Sequence, residues 1–166
     1  MISLRLVCAV TMTASVAVAG CGSGRSSTTS RVDFKTGFAT SQNAFRQLVT
    51  DIAKDLTGAE TKTDAELAKE FGVLGDRADR QASRLATLTP PARYATRVRA
   101  VVAGCHALKA DLSKLSTAAT HNDAPSARTA ARALLTDAAK VKTADTSLSK
   151  ALGLPSARTR HPGGQS

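Results

Sequence analysis

Hydrophobic side chains recur every three or four residues along most of this chain, a spacing that places them on one face of an α-helix. No stretch stands out that alternates apolar and polar residues as a half-buried strand does. Four apolar stripes follow one another, at about residues 34–57, 63–88, 91–119 and 123–152. We therefore predict four helices, each with one apolar face.

The apolar positions of these stripes define the predicted core. In the first two helices they are Phe38, Phe45, Leu48, Val49, Ile52, Leu56, Leu67, Phe71, Leu74, Ala78, Leu85 and Leu88. In the last two they are Tyr94, Val98, Val101, Cys105, Leu108, Leu112, Leu115, Ala119, Ala127, Ala131, Leu134, Ala138, Val141, Leu148 and Leu152. Because short polar loops join the helices, the pattern predicts an all-α fold, an antiparallel up-down four-helix bundle.

Local signals mark the ends of the predicted helices. Thr63 and Glu66 have the spacing of a capping box at the start of the second helix. The segment Thr89-Pro90-Pro91 separates the second helix from the third and offers a threonine as a cap. Asp123-Ala124-Pro125 begins the fourth helix, and Gly153-Leu154-Pro155 ends it.

Two glycines lie inside the second stripe, where each costs about 1 kcal/mol relative to alanine. Gly72 and Gly75 permit either a close approach of another helix or a kink. We favour one kinked, continuous helix over two separate pieces.

Two polar residues interrupt the stripes. Gln81 is the weak point of the second stripe, and Asp145 falls between Val141 and Leu148 in the fourth. We expect Asp145 at the exposed edge of its helix, with Ala144 inside. The alternative is a buried acid, which needs a hydrogen-bonding partner.

The first 20 residues have the pattern of a secretory signal peptide. Arg5 supplies a positive charge, and an uncharged run from Leu6 to Val18 follows, too short to span a bilayer of about 30 Å. Residues 22–33 are rich in Ser, Thr and Gly and predict a flexible tether.

The residues Val18-Ala19-Gly20-Cys21 resemble the lipobox of bacterial lipoproteins. This resemblance implies that Cys21 carries a diacylglyceryl group and that a lipoprotein signal peptidase cleaves between Gly20 and Cys21. A lipid on Cys21 places the protein on the extracytoplasmic face of the cell membrane without a transmembrane helix. The alternative is an ordinary signal peptide in which the cysteine occurs by chance.

A second resemblance covers nearly all of the chain after the signal peptide. FKTGFA at 34–39, the strings TDAELAKEF and LATLTPPARY, and LGLP at 152–155 look like small actinobacterial lipoproteins of uncharacterised function. The resemblance implies export and a helical domain, and it supplies no catalytic residues.

Together these features divide the chain into four parts. We predict a lipoprotein signal peptide at 1–20, a lipidated Cys21 with a flexible tether at 21–33, a four-helix domain at 34–155 and a disordered basic tail at 156–166.

The chain is basic, with 23 Lys and Arg against 13 Asp and Glu. Part of the excess lies in the flanks, at Arg25, Arg31, Arg158 and Arg160, where it favours anionic lipid head groups beside a membrane. General solubility is the alternative explanation. Export and the shortage of aromatic residues, with no Trp and one Tyr, argue against nucleic acid as a partner.

The cysteines predict neither a disulfide nor a metal site. Cys8 leaves with the signal peptide and Cys21 is acylated, so Cys105 has no partner. Cys105 and His106 are adjacent on a helix and point about 100° apart, which is unsuitable for one metal ion. Cys105 lies on the apolar face of the third helix, where we expect a buried, structural thiol.

Motifs for catalysis are missing from the sequence. The chain has no GxSxG and no glycine-rich phosphate loop. The acid pairs Asp51/Asp55 and Glu66/Glu70 fit charged helix surfaces that they share with Lys54 and Lys69. We predict no enzyme activity and no cofactor.

Two functions follow from this sequence. The first is a non-enzymatic interaction module that recognises an envelope protein or an amphiphile beside the membrane. The second is a carrier of a small apolar or lipid ligand between the helices. A cavity lined by Phe38, Phe45, Leu108 and Leu134 would favour the carrier, whereas a solid core with an apolar surface patch would favour the interaction module.

Overall fold

A computed structural model describes the backbone of residues 26–154 and the side chains of residues 33–154, and in this part the chain forms helices and no strands. The helices are α1 (Ser26–Thr57), α2 (Asp64–Thr87), α3 (Ala92–Thr120) and α4 (Ala124–Leu152). One turn of 3₁₀-helix, Ala59–Thr61, lies between α1 and α2. The predicted all-α class and the four helices are confirmed.

Contacts between the helices fix an antiparallel order. The Ser116 hydroxyl, near the end of α3, donates a hydrogen bond to the Ala68 carbonyl, near the start of α2, at 2.7 Å. The Tyr94 hydroxyl, at the start of α3, donates to the Ala151 carbonyl, at the end of α4, at 3.2 Å. Helix α3 packs extensively on α2 and α4, whereas α1 packs mainly on α2 and meets α4 at few points.

The core is built from the predicted stripes. Buried side chains include Phe38, Phe45, Leu48, Ile52, Phe71, Leu74, Ala78, Leu85, Tyr94, Val98, Val101, Cys105, Leu108, Leu112, Leu115, Leu134, Val141, Leu148 and Leu152. Predicted positions that are only partly buried are Val49, Leu56, Leu67, Leu88, Ala127, Ala131 and Ala138. The prediction is therefore right about which face points inward, and it does not distinguish full from partial burial.

Helix α1 begins earlier than its hydrophobic stripe. The prediction placed a flexible tether up to residue 33, but the helix starts at Ser26, so this boundary is wrong. No glycine or proline interrupts residues 26–36, and the buried Phe34 ring stacks on Tyr94, with 6.1 Å between the ring centroids. That packing holds the helix on the bundle at Phe34, and the chain continues as helix on the N-terminal side. The predictions for the signal peptide, Cys21 and residues 155–166 lie outside the described residues.

The helix ends follow the predicted signals, with one exception. Thr63 and Glu66 form the capping box, and the Asp123 carboxylate accepts a hydrogen bond from the Ser126 N–H at 3.1 Å. Gly153 ends α4 with a φ of +63°, in the left-handed region that glycine adopts without strain. Helix α3, however, starts after Pro91 without a side-chain cap, so no threonine caps it.

A glycine that the sequence did not single out makes the tightest helix contact. A methyl group at Gly75 would lie 3.7 Å from Leu112 Cβ and one at Gly72 would lie 3.8 Å from Ser116 Oγ, which are ordinary distances. A methyl group at Gly104 would overlap with Val141 Cγ2. Helix α2 runs continuously past its two glycines, and the close approach in this bundle is between α3 and α4.

Candidate functional site

The two ends of the bundle are built from different residues. At one end, where α1 and α3 start, Phe34, Phe38 and Tyr94 pack together, and we call it the aromatic end. At the other, where α2 and α4 start, α4 contributes mainly alanines, among them Ala127 and Ala131, and we call it the alanine end. The candidate site lies at the alanine end.

A cleft of about 570 Å³ lies between the helix termini at the alanine end. Its apolar wall consists of Leu56, Ala59, Leu67, Phe71, Leu115, Ala118, Ala119, Ala124, Ala127 and Ala131. The alanines are too small to fill the space that the larger side chains of α1 and α2 leave. The volume is within the 300–1,000 Å³ typical of small-molecule sites. We refer to this feature as the end cleft.

Charged residues surround the apolar wall of the end cleft. Glu60, Asp64 and Asp123 contribute carboxylates, and Arg128 contributes one positive charge. The hydrogen bonds that Asp123 accepts from Ser126 keep its pKa below the usual range. Its carboxylate therefore remains ionised at neutral pH, and the rim is negative overall. Such a cleft can take an apolar group that has a positive charge beside it.

A second groove, of about 580 Å³, runs along α3 and α4 next to the end cleft. It shares Ala118 and Asp123 with the end cleft but is lined by more hydroxyl groups, including those of Ser113, Thr117, Ser126 and Thr129. His121 borders this groove, and its Nδ1 lies 2.8 Å from the Thr117 carbonyl oxygen. The loop joining α3 to α4 thus separates an apolar cleft from a more polar groove.

The structure corrects the prediction for Asp145. This side chain is buried, with 7% of its surface exposed, and Ala144 is half-buried instead of taking the inner position. The Gln42 side-chain amide of α1 donates to Asp145 Oδ2 at 3.0 Å and also to the Ser149 hydroxyl. Burial raises the pKa of Asp145, opposed by the hydrogen bond from Gln42 and by the charge of Arg46. The buried acid is tolerated because Gln42 of α1 supplies a hydrogen-bond donor. A buried acid with a partner is the alternative that the sequence left open.

Gln81, the other polar residue on a stripe, is also buried and partnered. Its amide donates to the backbone carbonyl and the hydroxyl of Ser41, at 2.6 and 2.5 Å. Ser41 and Gln42 are neighbours on α1, so two adjacent residues bond this helix to α2 and to α4. Buried amides with satisfied donors fix the register of a helix more specifically than apolar contacts do.

Cys105 is a buried free thiol, as predicted. Burial, together with the negative charge of Asp145, raises its pKa to about 12. The thiol is therefore protonated at neutral pH and is a poor nucleophile. His106 points elsewhere, and its Nδ1 lies 3.6 Å from Asp79 Oδ1. Among the described residues, no group of three or more His, Cys, Asp or Glu side chains is placed to hold a metal ion.

The two acid pairs have partners other than the predicted Lys54 and Lys69. Asp51 accepts a hydrogen bond from Arg77 Nη1 at 2.6 Å, which lowers the pKa of that carboxyl. Lys62 forms ion pairs with both Asp55 and Glu70. The hydrogen bond to Glu70 raises the pKa of Lys62 most, and the hydrogen bond to Asp55 raises it further. Glu66 caps α2. These acids therefore act in helix capping and in ion pairs that join α1, α2 and the segment between them.

The four residues that were expected to line a carrier cavity are core residues. Phe38, Leu108 and Leu134 are almost completely buried, and so is Phe45. Phe45 also borders a groove of about 370 Å³ between α1 and α4 that includes Asp145. The end cleft is thus formed by other residues than the sequence suggested.

Sequence reasoning missed the end cleft and one buried acid. The signal for the cleft was visible, because α4 presents alanines where the other helices present leucines and phenylalanines.

Asp111 gave no such signal, since it lies beside the stripe of α3. Only 3% of Asp111 is exposed, and its Oδ1 lies 3.0 Å from Lys114 Nζ. Its Oδ2 is without a hydrogen-bond partner among the described residues.

Comparison with known proteins finds no matching family model, no similar curated protein and no similar solved structure. The function of this chain is therefore inferred from its own residues.

Proposed function

We propose that this chain is a lipoprotein of the cell envelope whose helical bundle is a non-enzymatic binding module. Cys21 carries the acyl groups after cleavage between Gly20 and Cys21, and the anchor holds the protein on the extracytoplasmic face of the membrane. The proposal for the anchor rests on the signal-peptide pattern of residues 1–20 and on the small residues before Cys21. Among the described helices, none has an apolar stretch long enough to cross a bilayer.

The end cleft is the observation that supports a binding role. It lies at the alanine end, away from the α1 terminus that leads to Cys21. An apolar wall with a negative rim suits an apolar side chain that is flanked by Lys or Arg on an envelope protein. The exposed Leu135, one helical turn beyond Ala131, extends the apolar surface outward along α4. A buried core together with such a surface favours the interaction module.

A carrier of a small apolar or lipid ligand is the second candidate. The observation in its favour is the volume of the end cleft, which accommodates a ligand of drug-like size. A carrier would retain its ligand during purification, whereas an interaction module would bind only when its partner is present.

The anchor is tested on the protein in its own membrane. We expect the intact mass of the wild type to show acyl chains on residue 21, and we expect Cys21→Ser to leave an unprocessed or released protein. Unacylated wild-type protein in the culture medium would contradict the lipoprotein assignment.

The end cleft is tested with a matched pair of tryptophans on α4. Ala127→Trp places a large ring in the cleft, whereas Ala139→Trp places it at an exposed position of the same helix. We expect the neutral apolar dye Nile red to bind the wild type and Ala139→Trp and to bind Ala127→Trp at least about tenfold more weakly, which corresponds to roughly 1.4 kcal/mol. Equal dye binding by all three proteins would show that the cleft is not an apolar binding site.

Native mass spectrometry of the same three proteins, purified from membranes, separates the two candidates. A lipid-sized adduct on the wild type and Ala139→Trp, absent from Ala127→Trp, supports the carrier. A co-purifying protein with the same dependence supports the interaction module.

A further inference from the structure

Charge is distributed unevenly between the two ends of the bundle. Residues 33–41, 82–99 and 146–154, which form the aromatic end, contain six basic residues and one acid. The six are Lys35, Arg84, Arg93, Arg97, Arg99 and Lys150, and the acid is Asp33. Residues 50–70 and 113–131, at the alanine end, contain five basic residues and seven acids. The excess of positive charge in the folded domain is thus concentrated at the aromatic end.

The basic residues of the aromatic end are available to a partner. Five of the six are exposed, and Lys35 is half-buried. None of the ion pairs between described residues includes any of the six. At the alanine end, by contrast, Asp51, Asp55 and Glu70 are already paired with Arg77 or Lys62. The aromatic end therefore presents a set of uncompensated cations, whereas acids outnumber basic residues at the alanine end.

Contacts within the fold show that these cations share one end. Lys35 Nζ donates to the Gly153 carbonyl at 3.5 Å, which brings the first turns of α1 to the end of α4. Tyr94 stacks on Phe34 and bonds to Ala151, next to Lys150 in the chain. The guanidinium of Arg93 lies 4.7 Å from the centre of the Tyr94 ring.

The aromatic end is also the end nearest to Cys21. Four residues separate Cys21 from Ser26, the first residue of α1. Because any chain spans at most about 3.5 Å per residue and a helix rises about 1.5 Å per residue, Cys21 can be at most about 30 Å from Phe34. An acyl anchor on Cys21 is therefore attached at the end of the bundle that carries the uncompensated cations, and it allows that end to reach the membrane.

We propose that the aromatic end is a docking surface for anionic phospholipid head groups, which sets the bundle upright with the end cleft facing away from the membrane. The inference rests on the proposed lipid anchor. A Lys or Arg near an anionic surface is attracted to it, and the attraction decays within a Debye length of about 8 Å. Helix α2, of 24 residues, is about 36 Å long, so charges at the alanine end do not contribute.

The test measures vesicle binding by the chain from residue 21 onward with Cys21→Ser, so that no acyl group contributes. We expect this protein to bind vesicles of phosphatidylglycerol and phosphatidylcholine and not vesicles of phosphatidylcholine alone. Adding Arg84→Gln, Arg97→Gln and Lys150→Gln should weaken binding about 100-fold, since each residue near the surface contributes about fivefold. These three side chains are exposed, and none is part of the aromatic stack.

A second triple variant controls for net charge. Lys54→Gln, Lys69→Gln and Arg132→Gln remove three exposed cations that are distant from the aromatic end. We expect binding within about threefold of the starting protein, because these sites lie beyond several Debye lengths. Equal losses in the two triple variants, or no binding to the anionic vesicles, would overturn the docking surface.

The orientation is measured with single tryptophans, because the wild-type chain has none. Ala86→Trp is an exposed probe at the aromatic end, and Ala53→Trp is an exposed probe toward the alanine end. Brominated phosphatidylglycerol should quench the first and leave the second unchanged, and equal quenching would contradict an upright bundle. No protein in these vesicle assays is acylated, so a failure to bind vesicles contradicts only the docking surface. The absence of acyl chains from the intact mass of the wild type contradicts only the anchor.

Discussion

The two ends of this bundle use the same four helices but are stabilised differently. At the aromatic end, Phe34, Phe38 and Tyr94 fill the space between the helices, and the surface cations are left uncompensated. At the alanine end the side chains of α4 are too small to fill that space, and the ion pairs of Lys62 with Asp55 and Glu70 join the segment between α1 and α2 to both helices.

Packing and binding capacity are thus separated along the bundle axis. Close packing contributes most of the stability of a fold, whereas exposed ion pairs contribute little. The aromatic end is stabilised mainly by packing, so its charged side chains remain available to contact the membrane. The alanine end is loosely packed, and this leaves the end cleft open.

Two leucines on the same helix provide the most direct test. Leu85, at the aromatic end of α2, is 1% exposed, whereas Leu67, at the alanine end, is only partly buried beside the end cleft. We expect Leu85→Ala to lower the free energy of unfolding by about 3 kcal/mol and Leu67→Ala by about 1 kcal/mol, since a fully buried leucine leaves a cavity. Urea unfolding measures both values, and equal losses would mean that the ends are packed equally well.

The contact between α3 and α4 is tested by a glycine and its control. Gly104→Ala places a methyl group against Val141, so we expect overpacking to cost about 1–3 kcal/mol. Gly75→Ala, on α2, meets only ordinary contacts, and its better helix propensity should stabilise the protein by up to about 1 kcal/mol. Thermal unfolding of the two variants should therefore give shifts in Tm of opposite sign. A Gly104→Ala variant as stable as the wild type would show that α3 and α4 are not in close contact.

The buried acid between α1 and α4 gives a pH-dependent effect. Because the pKa of Asp145 is raised in the folded state, its ionisation destabilises the fold above that pKa, and the cost disappears below the ordinary pKa of the unfolded chain. Asp145→Asn should therefore be more stable than the wild type by about 1 kcal/mol at pH 7 and equally stable near pH 3.

Asp137→Asn on the same helix is the control for that substitution. Asp137 is half-buried and pairs with Lys140, so removing its charge should leave the stability at pH 7 unchanged or slightly lower. Comparison at equal pH is needed because Asp51, Glu66 and Asp123 have lowered pKa values and destabilise the fold as they become protonated in acid. A stability difference between Asp145→Asn and the wild type that does not change with pH would contradict the buried, ionised acid.

The smallest effect is expected for a surface cation. Lys62→Gln removes the cation shared by Asp55 and Glu70 and should lower the Tm slightly in low salt and not at all in high salt. Lys35→Gln at the aromatic end breaks no ion pair between described residues, so we expect no such salt dependence. If Lys35→Gln lowered the Tm with the same salt dependence as Lys62→Gln, the inferred electrostatic difference between the two ends would be contradicted.

Much of the fold was predictable because helix ends and helix faces are local properties. The 3–4 spacing of apolar residues, the Thr63–Glu66 capping box and the glycine after α4 depend on neighbours within a turn or two. The early start of α1 was not predictable from its Ser- and Thr-rich composition, because Phe34 holds that segment through Tyr94, 60 residues away in the chain.

The candidate site was only partly predictable for the same reason. The sequence identified Cys105 as a buried thiol. It did not place the cleft, because Leu56, Phe71 and Ala127 come from three helices that meet only in the folded protein.

By itself, the sequence of this protein determined the helices, their inward faces and the N-terminal pattern that predicts the lipid anchor. Tertiary structure alone decided that Asp145 is buried, since its partner Gln42 comes from another helix. It also decided that Gly104 is the tight contact and that six cations from four helices meet at one end. The physical reason is that hydrophobic periodicity and capping act within a few residues, whereas burial of a charge, steric fit and electrostatic potential depend on which distant residues the fold brings together.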